Sequence, residues 1–237
     1  MPEFDLFAAE KSIIQDISLA LQQGHLDIED ARGLLEKLLG HYERLLRETQ
    51  QLIKISDRKA RELNRLNHKL QQVSRDLAFQ ATHDALTGVY NKGAISEIIQ
   101  DHLSMGDFVL ILFDIDHFKK VNDTHGHSVG DQVLRLVANL VEENIKHKDY
   151  IGRFGGEEFV VLLSDTPLKQ SIEMAGTLLT IIEGAALMVE DVPVKVTVSM
   201  GLTPCKKNEP FEEVYIRVDK LLYAAKKGGR NRIEVRI

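Results

Sequence analysis

The chain has 237 residues, 43% hydrophobic and 28% charged, with a formal net charge of −6, which is ordinary globular material and no electrostatic footprint for DNA or RNA. Its single cysteine, Cys205, excludes an intramolecular disulfide and fits a reducing cytoplasm. No stretch approaches the roughly 20 consecutive apolar residues of a membrane span, and Met1-Pro2-Glu3-Phe4-Asp5 lacks the basic start of a signal peptide, so a cytoplasmic protein without membrane insertion is expected.

Residues 1–80 read as an all-α module. Leu6, Phe7, Ile13, Ile14, Ile17 and Leu21 predict an amphipathic helix ending near Gly24, and Asp27 is a good N-cap for the next one. Leu35, Leu38, Tyr42, Leu45, Thr49 and Leu52 then alternate spacings of three and four, and Leu63, Leu66, Leu70, Val73 and Leu77 resume the same register. Ser56 and Lys59 interrupt the seam between them. A sustained heptad seam predicts a coiled-coil homodimer stalk, with an intramolecular helical bundle as the alternative. His25, His41 and His68 are scattered and suggest no metal site. With no recognisable sensor chemistry here, a regulatory protein partner is expected on these helices.

From residue 81 onward the chain is richer in motifs. Phe108 to Phe113 is a continuous apolar run of strand length that ends at Asp114-Ile115-Asp116, and acids at the end of a core strand are held on a rigid element. Asn, Asp, Thr and Gly between Asn122 and Asp131 favour a loop, with a helix from near Ser128 through Val141. Apolar runs from Tyr150 to Phe154 and from Phe159 to Leu163 flank Gly155-Gly156-Glu157-Glu158, which predicts a hairpin with carboxylates at its tip. Glycines there let backbone approach a ligand. Two carboxylates at about 4 Å repel by ~4 kcal/mol at an effective dielectric near 20, so Asp114 brought beside Glu157 calls for a cation, and oxygen donors suit a hard ion. Further on, Pro167-Leu168 opens a helix, Val194 to Met200 alternates as a strand that loses regularity at Gly201, Phe211 to Lys227 is helical, and Ile233 to Val235 is a short strand. The order predicts an α+β fold, a mostly antiparallel sheet flanked by helices, preceded by the helical stalk.

These blocks, in this order, resemble the GGDEF family of diguanylate cyclases, here with the variant Gly-Gly-Glu-Glu-Phe. Asp84-Ala85-Leu86-Thr87-Gly88, Asn91, Asp114 through Lys119, Asn122-Asp123, Gly126-His127, Gly130-Asp131, Arg153 through Phe159 and Ala225 through Asn231 all carry the likeness, which runs from about His83 to the C-terminus and implies a cyclase domain over 81–237. The resemblance implies a nucleotidyl-cyclase or palm-like fold. It also implies a reaction that joins two GTP into cyclic di-GMP with release of two pyrophosphates. By the same resemblance, Asp114, the Ile115 carbonyl and Glu157 are ligands for Mg²⁺ (Mn²⁺ as an alternative), with Glu158 as an additional ligand and Glu157 also the general base. Asn122 and Asp131 read guanine, His127 contacts substrate, Lys119 steadies developing charge, Lys226 and Arg230 grip the triphosphate, and Gly155 and Gly156 line the nucleotide. The chemistry agrees: Asn offers donor and acceptor and Asp accepts only, which suits guanine's edge, and cations aimed at phosphoryl oxygens are the main catalytic resource for attack on an α-phosphorus. Gly228-Gly229 predicts that the last helix stops before Arg230.

The chain departs from the family pattern in two places. Val89, Tyr90 and Lys92 replace the usual residues of the opening block, which is expected to pair with the hairpin arginine. Lys146 and Asp149 stand where many members carry the Arg-x-x-Asp of a product-inhibitory site, and lysine cannot make arginine's planar bidentate contact, so weak or absent product inhibition is expected. A catalytically weak module that binds GTP or cyclic di-GMP, and a scaffold whose helices carry the function, remain alternatives.

Overall fold

A computed structural model describes residues 8–22, 28–189 and 192–236. Leu6, Phe7, Gly24 and Asp27 lie outside the described residues. The chain divides into two compact units, Met1–Ser74 and Arg75–Ile237. In the first, α1 (Ala8–Gln22) precedes α2 (Ile28–Thr82), a 55-residue helix that runs on into the second unit. Glu29 and Asp30 sit in its first turn, facing the positive end of the helix dipole. Ile17, Ala20 and Leu21 of α1 and Ala31, Leu34, Leu35 and Leu38 of α2 line an apolar groove of about 230 Å³. None of the described residues of α2 is buried, and Leu35, Leu38, Tyr42, Leu52, Leu63, Leu66, Leu70, Val73 and Leu77 are exposed.

The second unit holds α3 (Lys92–Met105), β1 (Phe108–Ile115), α4 (Phe118–His125), α5 (His127–Asn144), β2 (Tyr150–Arg153), β3 (Glu158–Ser164), α6 (Leu168–Gly184), β4 (Leu187–Val189), β5 (Val192–Val194), β6 (Val198–Cys205), α7 (Phe211–Lys227) and β7 (Ile233–Val235). Five strands form one sheet in the order β2-β3-β1-β6-β7. The β2–β3, β3–β1 and β1–β6 pairs are antiparallel and β6–β7 is parallel. The fold is the expected α+β sandwich.

Strand alternation builds its two layers. Val109, Ile111, Phe113 and Ile115 of β1 pack with Val133 and Val137 of α5 and Leu178 and Ile182 of α6. Phe108, Leu110 and Leu112 pack on the other face with Ile95 and Ile99 of α3 and Val214, Val218 and Leu222 of α7. A strand covered on both faces has no polar side to show, which is why β1 reads as a continuous apolar run.

Two expectations change. The expected loop from Asn122 is helical as far as His125, as part of a short helix Phe118–His125 that buried Phe118 and half-buried Val121 anchor to the core while Lys119, Lys120, Asp123, Thr124 and His125 are exposed. The strand expected from Val194 begins only at Val198, with Val194 in a separate short strand, and Gly201 does not end it: β6 runs through to Cys205. A Cβ at Gly201 would meet the Val218 carbonyl oxygen at 2.5 Å and the Leu222 nitrogen at 2.6 Å, so the glycine is what lets α7 lie against β6. Burial pushes the Cys205 thiol up to about 12, against the pull of Arg217, and keeps this strand-end cysteine protonated and unreactive.

Candidate active site

The parity of β1 sets the position of Asp114. It continues the series Phe108, Leu110, Leu112, whose side chains face α7, and in register it stands opposite Glu158, the first residue of β3. The next β1 residue, Ile115, donates its amide to the Glu157 carbonyl at 3.3 Å, which brings the hairpin tip to the end of β1. Three carboxylates thus gather at one end of the β1–β3 ladder. The last turn of α7 adds a cation: Lys226 Nζ lies 2.8 Å from Asp114 Oδ2. Asp114 is 4% exposed. Burial pushes its carboxyl up to about 6, Lys226 works against this, and Glu157 and Glu158 add to the rise. Burial also raises Glu157, opposed by Lys226 and reinforced by Glu158.

The hairpin tip is held from outside. Arg153 donates through Nη1 to both oxygens of Asp84, at 3.0 and 3.3 Å, and through Nε and Nη2 to the Gly156 carbonyl, at 3.2 and 2.7 Å. Asp84 also accepts from the Thr87 amide and hydroxyl, at 2.9 and 2.7 Å. Burial opposes the ionised form of Asp84, but the Thr87 donors and the Arg153 guanidinium prevail and hold the carboxyl below its ordinary range. The opening block therefore pairs with the hairpin arginine. Within the tip, the Phe154 and Gly155 amides both donate to the Glu158 carbonyl. A Cβ on Gly155 would press on the Glu158 carboxylate at 2.8 Å, while Gly156 has open space beside it.

Asn122 on α4 sits against Gly130 in the first turn of α5, where any Cβ would overlap its Oδ1. That oxygen is buried with no hydrogen-bond partner, which suits a residue waiting for a ligand's donor. Asp131 follows Gly130 and is half-buried; His127, the first residue of α5, and Lys119 are exposed. Helix α7 ends at Lys227, so exposed Arg230 lies in the turn beyond it, as Gly228-Gly229 implies. Gly130 as the residue that makes room for Asn122 was not legible beforehand; a small residue beside an acid is too common a signal.

Among the described residues, no three His, Cys, Asp or Glu side chains stand in ready metal-ligating geometry. The donor set still fits a hard divalent ion: all-oxygen, crowded with negative charge, and already neutralised in part by the Lys226 ammonium standing where a cation belongs. A separate cavity of about 650 Å³ opens on the other flank of α4, lined by His117, Lys120, Thr124 and Lys195, and includes none of these carboxylates.

The family described as "Diguanylate cyclase, GGDEF domain" matches residues 81–232. The chain belongs to the GGDEF diguanylate cyclase family. It is 40% identical over 161 residues to diguanylate cyclase DgcP of Pseudomonas aeruginosa, which covers 66% of this chain but only 24% of that relative's length. The coiled coil and GGDEF domain of DgcB from Caulobacter crescentus, solved in complex with c-di-GMP, superposes with a TM-score of 0.67 at 31% identity over 77% of this chain and 97% of that one. Diguanylate cyclase SiaD from Pseudomonas aeruginosa, solved with its activator SiaC, gives 0.66 at 28% identity over 96% of this chain and 85% of that one. Among the described residues no helix is long and apolar enough to cross a membrane.

Proposed function

We propose that the protein is a diguanylate cyclase that condenses two GTP into cyclic di-GMP and two pyrophosphates, with residues 81–237 as the catalytic domain and 1–80 as its dimerisation and regulatory module. The observation that carries this reading is the meeting of Asp114, Glu157 and Glu158 at the end of the β1–β3 ladder beside Lys226. Asp114, the Ile115 carbonyl and Glu157, with Glu158, would hold Mg²⁺, or Mn²⁺ in its place. When bound, such an ion lowers the pKa of a 3′-hydroxyl and draws charge off the phosphoryl oxygens. The chain's own residues do the rest. Asn122 and Asp131 orient guanine, with His127 beside the substrate. Glu157 accepts the hydroxyl proton, favoured by a carboxyl raised toward the working pH. Lys119 steadies charge on the α-phosphate, and Lys226 and Arg230 hold the leaving pyrophosphate.

Each domain presents one GTP, so two domains must face each other. The exposed heptad leucines of α2 supply a homodimer seam that raises the effective concentration of the second domain. The apolar groove between α1 and α2 is the place for a regulatory protein, as the SiaD–SiaC complex gives precedent for an activator on a similar chain. We place the protein in the cytoplasm, where GTP is plentiful and Cys205 stays reduced.

The test is direct. The full chain incubated with GTP and Mg²⁺ is expected to yield cyclic di-GMP and pyrophosphate on chromatography, and Glu157→Gln to abolish turnover with the melting temperature kept. Bound but unchanged GTP would instead mark a binding module, and no nucleotide effect a scaffold.

A further inference from the structure

Asp116 lies one residue beyond β1 and is 4% exposed. A buried carboxylate is costly unless donors surround it. Here the Thr197 hydroxyl donates to Oδ2 at 2.7 Å, the Ser199 hydroxyl to Oδ1 at 2.7 Å, and the Asn231 backbone amide to Oδ2 at 3.0 Å. Asp116's own amide donates to the Thr197 carbonyl at 2.8 Å. The carboxylate is engaged in structure, although its place two residues after Asp114 invites a reading as a second metal ligand. Three segments meet on it: the end of β1, the entry to β6, and the turn after α7. The first two are already joined by the β1–β6 ladder. What Asp116 adds is a hold on the turn.

That turn is conformationally demanding. Gly229, Arg230 and Asn231 follow one another with φ of 114°, 63° and 46°. Glycine adopts the left-handed region freely and asparagine tolerates it, but arginine is disfavoured there. Such backbone persists only where its surroundings over-determine it. Two successive amides are clamped from different sides: Arg230 N donates to the Ala225 carbonyl at 3.1 Å, and Asn231 N to Asp116. The Asn231 side-chain oxygen is buried without a partner, so it gives the turn no second anchor.

We propose that Asp116 is a positioning residue for phosphate recognition: by capturing the Asn231 amide it locks Arg230 in its left-handed conformation and aims the guanidinium, with Lys226, at the terminal phosphates of the bound nucleotide. The inference rests on the reading of Lys226 and Arg230 as the triphosphate grip. Its signature is selectivity for a triphosphate over a monophosphate, routed through Arg230.

Calorimetric titration of the full chain with Mg²⁺ and a non-hydrolysable α,β-methylene GTP analogue, and separately with GMP, tests it. Asp116→Asn is expected to weaken the triphosphate analogue about tenfold, the scale of one lost charged hydrogen bond, and to leave GMP binding unchanged. Added to Arg230→Ala, it is expected to cost nothing further. Hydrogen exchange should quicken at the Asn231 amide and stay constant in β1 and β3. If Asp116→Asn does not fold, Ser199→Ala, which strips one donor from the same carboxylate, is expected to give the same pattern at smaller amplitude. Equal losses for GMP and the triphosphate, or an undiminished loss in the Arg230→Ala background, would overturn the proposal. Failure of the wild-type chain to bind the analogue would instead refute the nucleotide reading of the site, and this proposal with it.

Discussion

Asp114 carries a stability cost that its chemistry explains. Its folded carboxyl, raised to about 6 by burial and by two neighbouring glutamates, lies above its ordinary value of 3.8. Between those values the folded chain keeps a proton that the unfolded chain gives up. The group therefore favours folding at acid pH, and that contribution is lost as pH rises through about 6. Asp114→Asn removes the cost where it is incurred. Thermal melts are expected to show the variant more stable than wild type near pH 8, by about 2–4 °C for each kcal/mol recovered, and level with it near pH 4. A variant less stable at the higher pH would mean that the Lys226 ion pair outweighs the repulsion. Asp84 runs the other way: held low by Thr87 and Arg153 against its burial, it contributes stability above its ordinary pKa and loses it as pH falls through the depressed value. A carboxylate that anchors is kept charged, and one that waits for a cation is kept uncomfortable.

At the scale of elements, the segment ahead of β2 shows how a familiar motif is reused. Asp149 is buried, its Oδ2 accepts from the Lys146 amide at 3.0 Å and its Oδ1 from the Ser164 amide at 2.9 Å, which ties the entry of β2 to the end of β3. Lys146 Nζ turns to the Thr166 hydroxyl at 3.4 Å. The carboxylate is spent on backbone amides, and Lys146 stands where a bidentate site for the proposed product would need arginine. Initial rates titrated with cyclic di-GMP are expected to show no tight inhibition. A submicromolar inhibition constant that disappears in Lys146→Ala would contradict this. The same scale explains the two misread segments. Composition from Asn122 onward favours a loop, but the helix anchored by buried Phe118 carries 122–125 with it. Gly201 reads as a strand end, but the close approach of α7 gives it a reason to sit mid-strand.

For the whole molecule, the exposed apolar face of α2 is the feature on which the proposed dimer rests. Leu63, Leu66, Leu70, Val73 and Leu77 are all exposed. With the α2 seam as the proposed dimer contact, Leu66→Lys combined with Leu70→Lys is expected to leave the fold of residues 81–237 intact and to shift the chain to a monomer. Sedimentation should report a monomer, and specific activity should fall at nanomolar protein and recover as concentration rises. Concentration-independent activity with a persistent dimer would place the subunit contact elsewhere.

Much of this protein was legible in its residues alone, because strong periodicity and closely spaced acids and glycines are local signals. The core strand ending in Asp114, the hairpin carrying Glu157 and Glu158, the helix stop before Arg230 and the heptad seam all belong to that group. Contacts between distant positions belong to the tertiary structure. Asp116 meets the amide of Asn231, 115 residues on. Lys226 stands against Asp114 because strand parity turns that side chain toward α7. No local pattern encodes such meetings: they follow from which faces the sheet buries and how closely the helices lie upon it, and those are settled only when the whole core packs.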